Sequence, residues 1–510
     1  MKKREARIHG KLGGVAVVRV ALLCTAILFQ CVSVNIGVAA QTAGGVNWLD
    51  PAGYQKPAFY PITVPDETTC PNKYYVDLAS GSGSTCSSGS PCALSGLSGK
   101  AGMSGGPAYV YLRGNGYFSW TSYKGSSGNE IVIKPWPGDN TVYYFTATSN
   151  GNGGANKFGA NGDATSVQYV ILDGGPNLQY VFRSSGSSCS SGDVNYDGAI
   201  VFNGSYNTLY RVQVTGNGNN CQDLMGQANA GSSTTFTGLK IINCEFHDAI
   251  VSGLGDLNQN YGLYAGGGSG CSSGATTLVN FYYLNNIFRN LGSLGIQVEP
   301  RNSANGIYIS GNAFHDLGFQ SCGSKWHCRP AIATTDSCGG NDANVNITNN
   351  LIWNTASSCI WPWGGSQYIY NNTCYNYGTA SSQDTYDNGI AGYGGSLSGV
   401  TVKNNIFDSS GHSVFNGSPT ASNNVCLSGQ SCGASSATLN ANTFLSTSPT
   451  SSNFLKIGSG SNAIGAGATL GTVTIDYAGL SRPQGSAYDI GAFAYGPSTV
   501  PSPPVIINIQ

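Results

Sequence analysis

From residue 105 to about residue 430 the chain alternates apolar and polar positions in runs of about four residues, too short for helices and with the two-residue period of strands. Aligned on a recurring polar pair, six stretches read LKIINCEFHD, YYLNNIFRN, IYISGNAFHD, VNITNNLIWN, YIYNNTCYN and VTVKNNIFD. With Cys244, Asn286, Asn312, Asn350, Asn372 and Asn405 taken as equivalent, the spacings are 42, 26, 38, 22 and 33. The shortest spacing defines the unit, and the longer ones carry inserted loops. Short strands repeating at that period without helices predict an all-β parallel solenoid, in which each coil buries its inward side chains on its neighbours. The Asn residues are expected at tight turns, where they tolerate left-handed backbone and stack their amides along the axis. A propeller or sandwich would need longer strands and less uniform turns.

A third strand follows each Asn turn: GAIVFNG, YGLYAGG, LGIQVEP, PAIATTD, CIWPWGG and NGIAGYGG. With its Ile or Leu inward, alternation turns outward Tyr264, then Gln297 and Glu299, Ala333 and Thr335, Trp361 and Trp363, and Ala391 and Tyr393. Coils lie about 4.8 Å apart, so these residues form one strip. Exposed aromatics with amides and a carboxylate between them suit a sugar chain. The competing expectation is that a loop covers the tryptophans and makes them core.

The entry KYYVDLASGSGS and the end DYAGLSRPQGSAYDIGAFAYG, together with the Asn-centred repeats, resemble the right-handed parallel β-helix proteins of the pectate lyase superfamily, in particular secreted bacterial members of β-helix-repeat type. The resemblance implies a single-stranded right-handed parallel β-helix with inserted loops. It also implies lyase, hydrolase, epimerase or adhesin function, often with Ca²⁺ and a Lys or Arg base among the lyases. The expected organisation is a leader at 1–40, an entry and cap segment at 41–104, the β-helix at 105–430, a closing segment at 431–496 and a Pro-rich tail at 497–510.

The leader MKKREARIHGK, an apolar run and small residues ending at Ala40 have the layout of a secretory signal peptide. A membrane anchor is the rival, but Arg19 and the small residues favour cleavage. No later segment is apolar for long enough to span a bilayer. The mature chain is therefore expected outside the cytoplasm: secreted, periplasmic or at the cell surface. Fourteen of the 16 cysteines follow the leader, and Cys86 with Cys92, Cys322 with Cys328, and Cys426 with Cys432 are spaced for small disulfide loops. The absence of a CxxC pair argues against zinc. Only 9% of residues are charged. The leader takes six of the 23 Lys and Arg and one of the 24 Asp and Glu, leaving the mature chain six charges negative, which argues against nucleic acid as a partner. The expected partner is a polysaccharide, and the expected state is a monomer.

Against this low charge, FQSCGSKWHCRP gathers Lys325, His327 and Arg329 in an insertion before Ala331, one coil after Glu299 and Arg301. β-Elimination on a uronic acid polymer needs a cation to stabilise the enolate-like intermediate and a base to take the proton. Arg329 or Arg301 fits the first role, and Lys325 or His327 the second. Tyr264, Gln297, Thr335, Trp361, Trp363 and Tyr393 are the expected sugar contacts. Asp256, Asp384 and Asp387, with Glu299, are possible oxygen ligands for Ca²⁺, without a dense acidic cluster. A glycoside hydrolase would instead use paired carboxylates, for which Glu299 and Asp336 are in register. A non-enzymatic glycan-binding surface protein fits the composition equally. The pairs His247–Asp248 and His315–Asp316 occupy matching repeat positions and read as turn structure.

Overall fold

The computed structural model describes residues 41–43, 45–51, 53–149, 154–160, 162–185, 198–216, 224–228, 234–250, 260–266, 276–300, 302–318, 330–334, 342–379, 387–392 and 396–496. Among these, three parallel sheets of thirteen, eleven and ten strands wrap one core, and a single 3₁₀ turn at Leu94–Leu97 is the only helical element. The chain is a parallel β-helix. Parallel pairing starts at Lys73–Asp77, which pairs with Ala108–Arg113, and ends at Ala437–Thr438, so it extends past residues 105–430 at both ends.

From Thr208–Tyr210 to Phe415–Asn416 the order within one coil is constant. A strand of the thirteen-stranded sheet leads through two residues into the eleven-stranded sheet, and then into the ten-stranded sheet. Thr277–Leu284, Ile287–Leu291 and Ile296–Glu299 form one such coil. Inward side chains stack like on like: Phe246, Phe288 and Phe314 are in register, with ring centroids 4.7 and 4.9 Å apart and planes within 8°. Each is fully buried, worth roughly 1.5–3 kcal/mol of transfer free energy.

The two-residue turn explains the Asn pairs, whose members have different tasks. The first residue takes left-handed backbone: φ is 54° at Asn243, 56° at Asn285, 54° at Asn349, 54° at Asn371 and 61° at Asn404. The second turns inward and forms a ladder. The Oδ1 of Asn286, Asn312, Asn350, Asn372 and Asn405 each accepts the backbone N–H of the equivalent residue one coil earlier, at 2.8–3.0 Å. Each Nδ2 from Asn286 to Asn372 also donates to the next Oδ1 at 2.9–3.0 Å. The ladder continues to Asn424 and ends on the Ser436 hydroxyl. Every amide in it is buried, so these bonds replace water that cannot enter.

The outward Asn residues hold the chain's two arms. Asn243 donates to Tyr60 O and Asn285 to Ala58 O, while Asn349 donates to Ile475 O, Asn371 to Asp489 O and Asn404 to Ala468 O. Both arms cover the outer face of the eleven-stranded sheet, where Val46, Trp48, Phe454, Tyr477 and Phe493 pack with Ile287, Ala313 and Leu351.

Candidate active site

Loop length singles out one sheet. From Tyr210 onward the junction from the thirteen- to the eleven-stranded sheet is two residues in every coil, as between Leu284 and Ile287 or Lys403 and Ile406. The long connections instead flank the ten-stranded sheet. They run into it from Arg183 to Ile200, Ala249 to Leu263, Leu317 to Ile332 and Tyr375 to Ile390, and out of it from Gly266 to Thr277 and Thr334 to Ala343. Loops on a rigid scaffold are where binding and catalytic groups concentrate.

On this sheet the outward row has the register expected from alternation. Gly226 pairs with Tyr264, Tyr264 with Gln297, Gln297 with Ala333, and Ala333 with Trp361. Glu299 pairs with Gly266, two residues further along. Its Oε2 accepts the Tyr264 hydroxyl at 2.8 Å and the Gln297 Nε2–H at 2.8 Å. A carboxylate fixed by two donors sits at the edge of the strip, where the chain leaves for the next coil.

The chain is similar in structure to pectate lyase Pel9A, with 14% identity, a TM-score of 0.47 and coverage of 84% of this chain and 97% of that one. It is also similar to a rhamnogalacturonan lyase (12%, 0.41, 76% and 97%) and to the GH136 lacto-N-biosidase from Eubacterium ramulus (12%, 0.34, 62% and 67%). No protein-family model matches the chain, and no curated protein sequence matches it.

The expected open strip is corrected in one respect. Its side chains keep their register, but they are covered: Tyr264 is 6% exposed, Gln297 4%, Trp361 5% and Glu299 8%. Tyr261, Tyr264, Leu294, Ala333, Trp361 and Ala391 pack as one apolar cluster, and the Trp361 Nε1–H lies 3.3 Å from the Ser358 hydroxyl. Trp363 is half-buried, with its backbone N–H donating to Thr334 O. Alternation fixes which way a side chain points; it says nothing of what lies over it.

Lys325, His327, Arg329, Arg301, Thr335, Tyr393, Asp256, Asp384 and Asp336 lie outside the described residues, as do Cys322 and Cys328. Asp387 is half-buried, and burial pushes its carboxyl up to about 6. Among the described residues no three His, Cys, Asp or Glu side chains converge to hold a metal ion. The disulfides Cys86–Cys92 and Cys426–Cys432 are present, and Cys70, Cys244, Cys359 and Cys374 are buried thiols.

A second cluster of acids and bases was not anticipated. On the eleven-stranded sheet His247, Arg289, His315 and Trp353 stand in register under the N-terminal arm. Asp50 of that arm is fully buried, and its Oδ2 lies 3.0 Å from His315 Nε2 and 3.1 Å from Lys56 Nζ. Arg289 Nε lies 2.8 Å from Glu245 Oε1 and 3.3 Å from Asp50 Oδ1. Burial alone raises the Asp50 carboxyl, but His315, Lys56 and Arg289 outweigh it and hold the group far below the usual carboxylate range. Burial lowers His315, and the Asp50 and Asp316 carboxylates outweigh that and raise it. Asp248 and Asp316 have φ of 58° and 55°, so each His–Asp pair sits at a left-handed break within a strand, Glu245–Ala249 or Ala313–Leu317, and not in a turn between strands. What the sequence did not reveal is that the preceding histidine's ring anchors an arm 265 residues away in the chain. The closed, paired geometry makes this cluster a clasp.

Proposed function

We propose that this chain is a secreted carbohydrate-active protein that cleaves a uronic-acid-containing polysaccharide by β-elimination along the ten-stranded sheet. The observation that carries this reading is the asymmetry of the loops. One junction is held at two residues by the Asn ladder, while the long insertions gather at the two edges of one sheet. Glu299, whose carboxylate accepts the Tyr264 hydroxyl and the Gln297 amide N–H, stands at the edge of that sheet.

In the proposed reaction a base takes the proton on the carbon next to the uronate carboxylate. That electron pair becomes the new double bond, and the glycosidic oxygen leaves with its own pair and is protonated. Lys325 or His327 is assigned as the base, and Arg329 or Arg301 as the cation that neutralises the carboxylate. The insertion holding the first three precedes Ile332 of the ten-stranded sheet in sequence, and Arg301 comes two residues after Glu299, the last residue of the preceding strand of that sheet. Two disulfides among the described residues favour an oxidising compartment.

Incubation with pectate, alginate and glycosaminoglycans, with and without EDTA, tests the proposal. Unsaturated products mark elimination. Reducing ends without them mark hydrolysis, with Glu299 as one carboxylate. Binding with neither leaves a glycan-binding surface protein.

A further inference from the structure

The outer face of the thirteen-stranded sheet holds a cleft of about 780 Å³ that neither the ten-stranded strip nor the buried clasp accounts for. That volume lies within the roughly 300–1,000 Å³ of small-molecule sites. Its floor is a row in register, Tyr282, Tyr308, Asn346 and Tyr368. Its far wall is the C-terminal segment from Thr469 to Ile475, where Leu470 and Val473 pack with Tyr370.

The ring chemistry is specific. Tyr282 and Tyr308 stack with centroids 4.9 Å apart and planes within 4°. One face of Tyr308 is thus taken, and the other looks along the axis to Asn346, one coil on. Asn346 is too short to cover a phenol ring, and the next aromatic, Tyr368, stands a further coil away. The two rings stand two coil spacings apart, roughly 10 Å, with Asn346 between them and its amide turned to donate to Asn344 O at 2.7 Å. All three tyrosines are half-buried, so their rings reach solvent. Around them lie Asn344, Asn346, Ser310 and Thr348, and among the described residues no charged side chain lines the cleft.

We infer that this cleft binds a neutral oligosaccharide, with sugar rings stacked on Tyr308 and Tyr368 and their hydroxyls met by the Asn, Ser and Thr side chains. Pyranose rings carry apolar C–H faces and a polar rim, which matches aromatic faces bordered by uncharged amides and hydroxyls. The absence of a lining cation separates this site from the uronate chemistry assigned to the ten-stranded sheet. The inference is independent of that assignment, since it concerns binding and not cleavage.

Titration calorimetry of the full mature protein with cellohexaose, xylohexaose, mannohexaose and hexagalacturonate tests it. At least one neutral hexasaccharide binds; Tyr308→Ala weakens it about tenfold or more, from the loss of a stacking face. Tyr308→Phe keeps the ring and weakens it less than Tyr308→Ala does. Tyr368→Ala repeats the test at the opposite ring, and a melting curve confirms that each variant is folded. The inference is overturned if no neutral hexasaccharide binds the folded protein, if Tyr308→Ala and Tyr368→Ala leave binding intact, or if hexagalacturonate is preferred. It is equally overturned if sedimentation reveals a dimer that Tyr308→Ala dissolves, because the cleft then belongs to a second copy.

Discussion

His315 Nε2 lies 3.0 Å from the Asp50 carboxylate, closing an ion pair between a strand of the eleven-stranded sheet and the N-terminal arm. Because His315 is raised above its ordinary 6.5, its contribution to stability is fully present below that value and is lost as pH rises through the folded-state value. Asp50 is depressed, so its contribution is present above the ordinary carboxylate range and lost only in strong acid. The melting temperature is therefore expected to fall as pH rises from 6.5, and His315→Gln is expected to flatten that slope and cost about 1–3 kcal/mol at pH 6. Thermal melts of both proteins across pH check this; parallel slopes contradict it.

The Asn ladder predicts a large penalty for one amide. Asn372 accepts the Asn350 backbone N–H at 2.9 Å and donates to Ile347 O and Asn405 Oδ1. Asn372→Ala strands these buried partners at about 1–3 kcal/mol each, partly relieved by relaxation. Urea denaturation is expected to give a clearly lower midpoint for Asn372→Ala than for Asn376→Ala, at a side chain on the exposed rim.

Trp361 is core in the covered strip, and Trp361→Ala is expected to cost about 3–5 kcal/mol. An unchanged melting temperature would show that the indole is not packed as described.

Burial pushes the Cys244 thiol up to about 12, so the folded protein is expected to resist iodoacetamide at that residue at pH 8. Peptide mass mapping should find Cys244 alkylated only after denaturation, and Cys86–Cys92 linked in both states.

The solenoid was legible in the sequence because the Asn turn is a local device: two residues, one left-handed and one inward, recur where the chain passes from the thirteen- to the eleven-stranded sheet. The equivalences from Cys244 to Asn405 hold in hydrogen-bond detail. Asn424 escaped because its coil is reduced to Thr420–Ser422 and Val425–Cys426, too short to show alternation. The clasp escaped for a different reason. Asp50, Glu245, Arg289 and His315 meet only once the arm is laid over the sheet, and no periodicity encodes that contact. The direction of the strip at Tyr264, Gln297 and Trp361 was legible for the same local reason as the turns, whereas its covering is a tertiary property.

The most direct test of the proposed function is the ultraviolet absorbance of unsaturated uronate formed when the protein meets polygalacturonate, alginate or a glycosaminoglycan. Absorbance is expected to rise with one of these polymers and to rise about a hundredfold or more slowly in Lys325→Ala or His327→Ala, whichever carries the base. No rise with any polymer, or a rise undiminished in both variants, would contradict it.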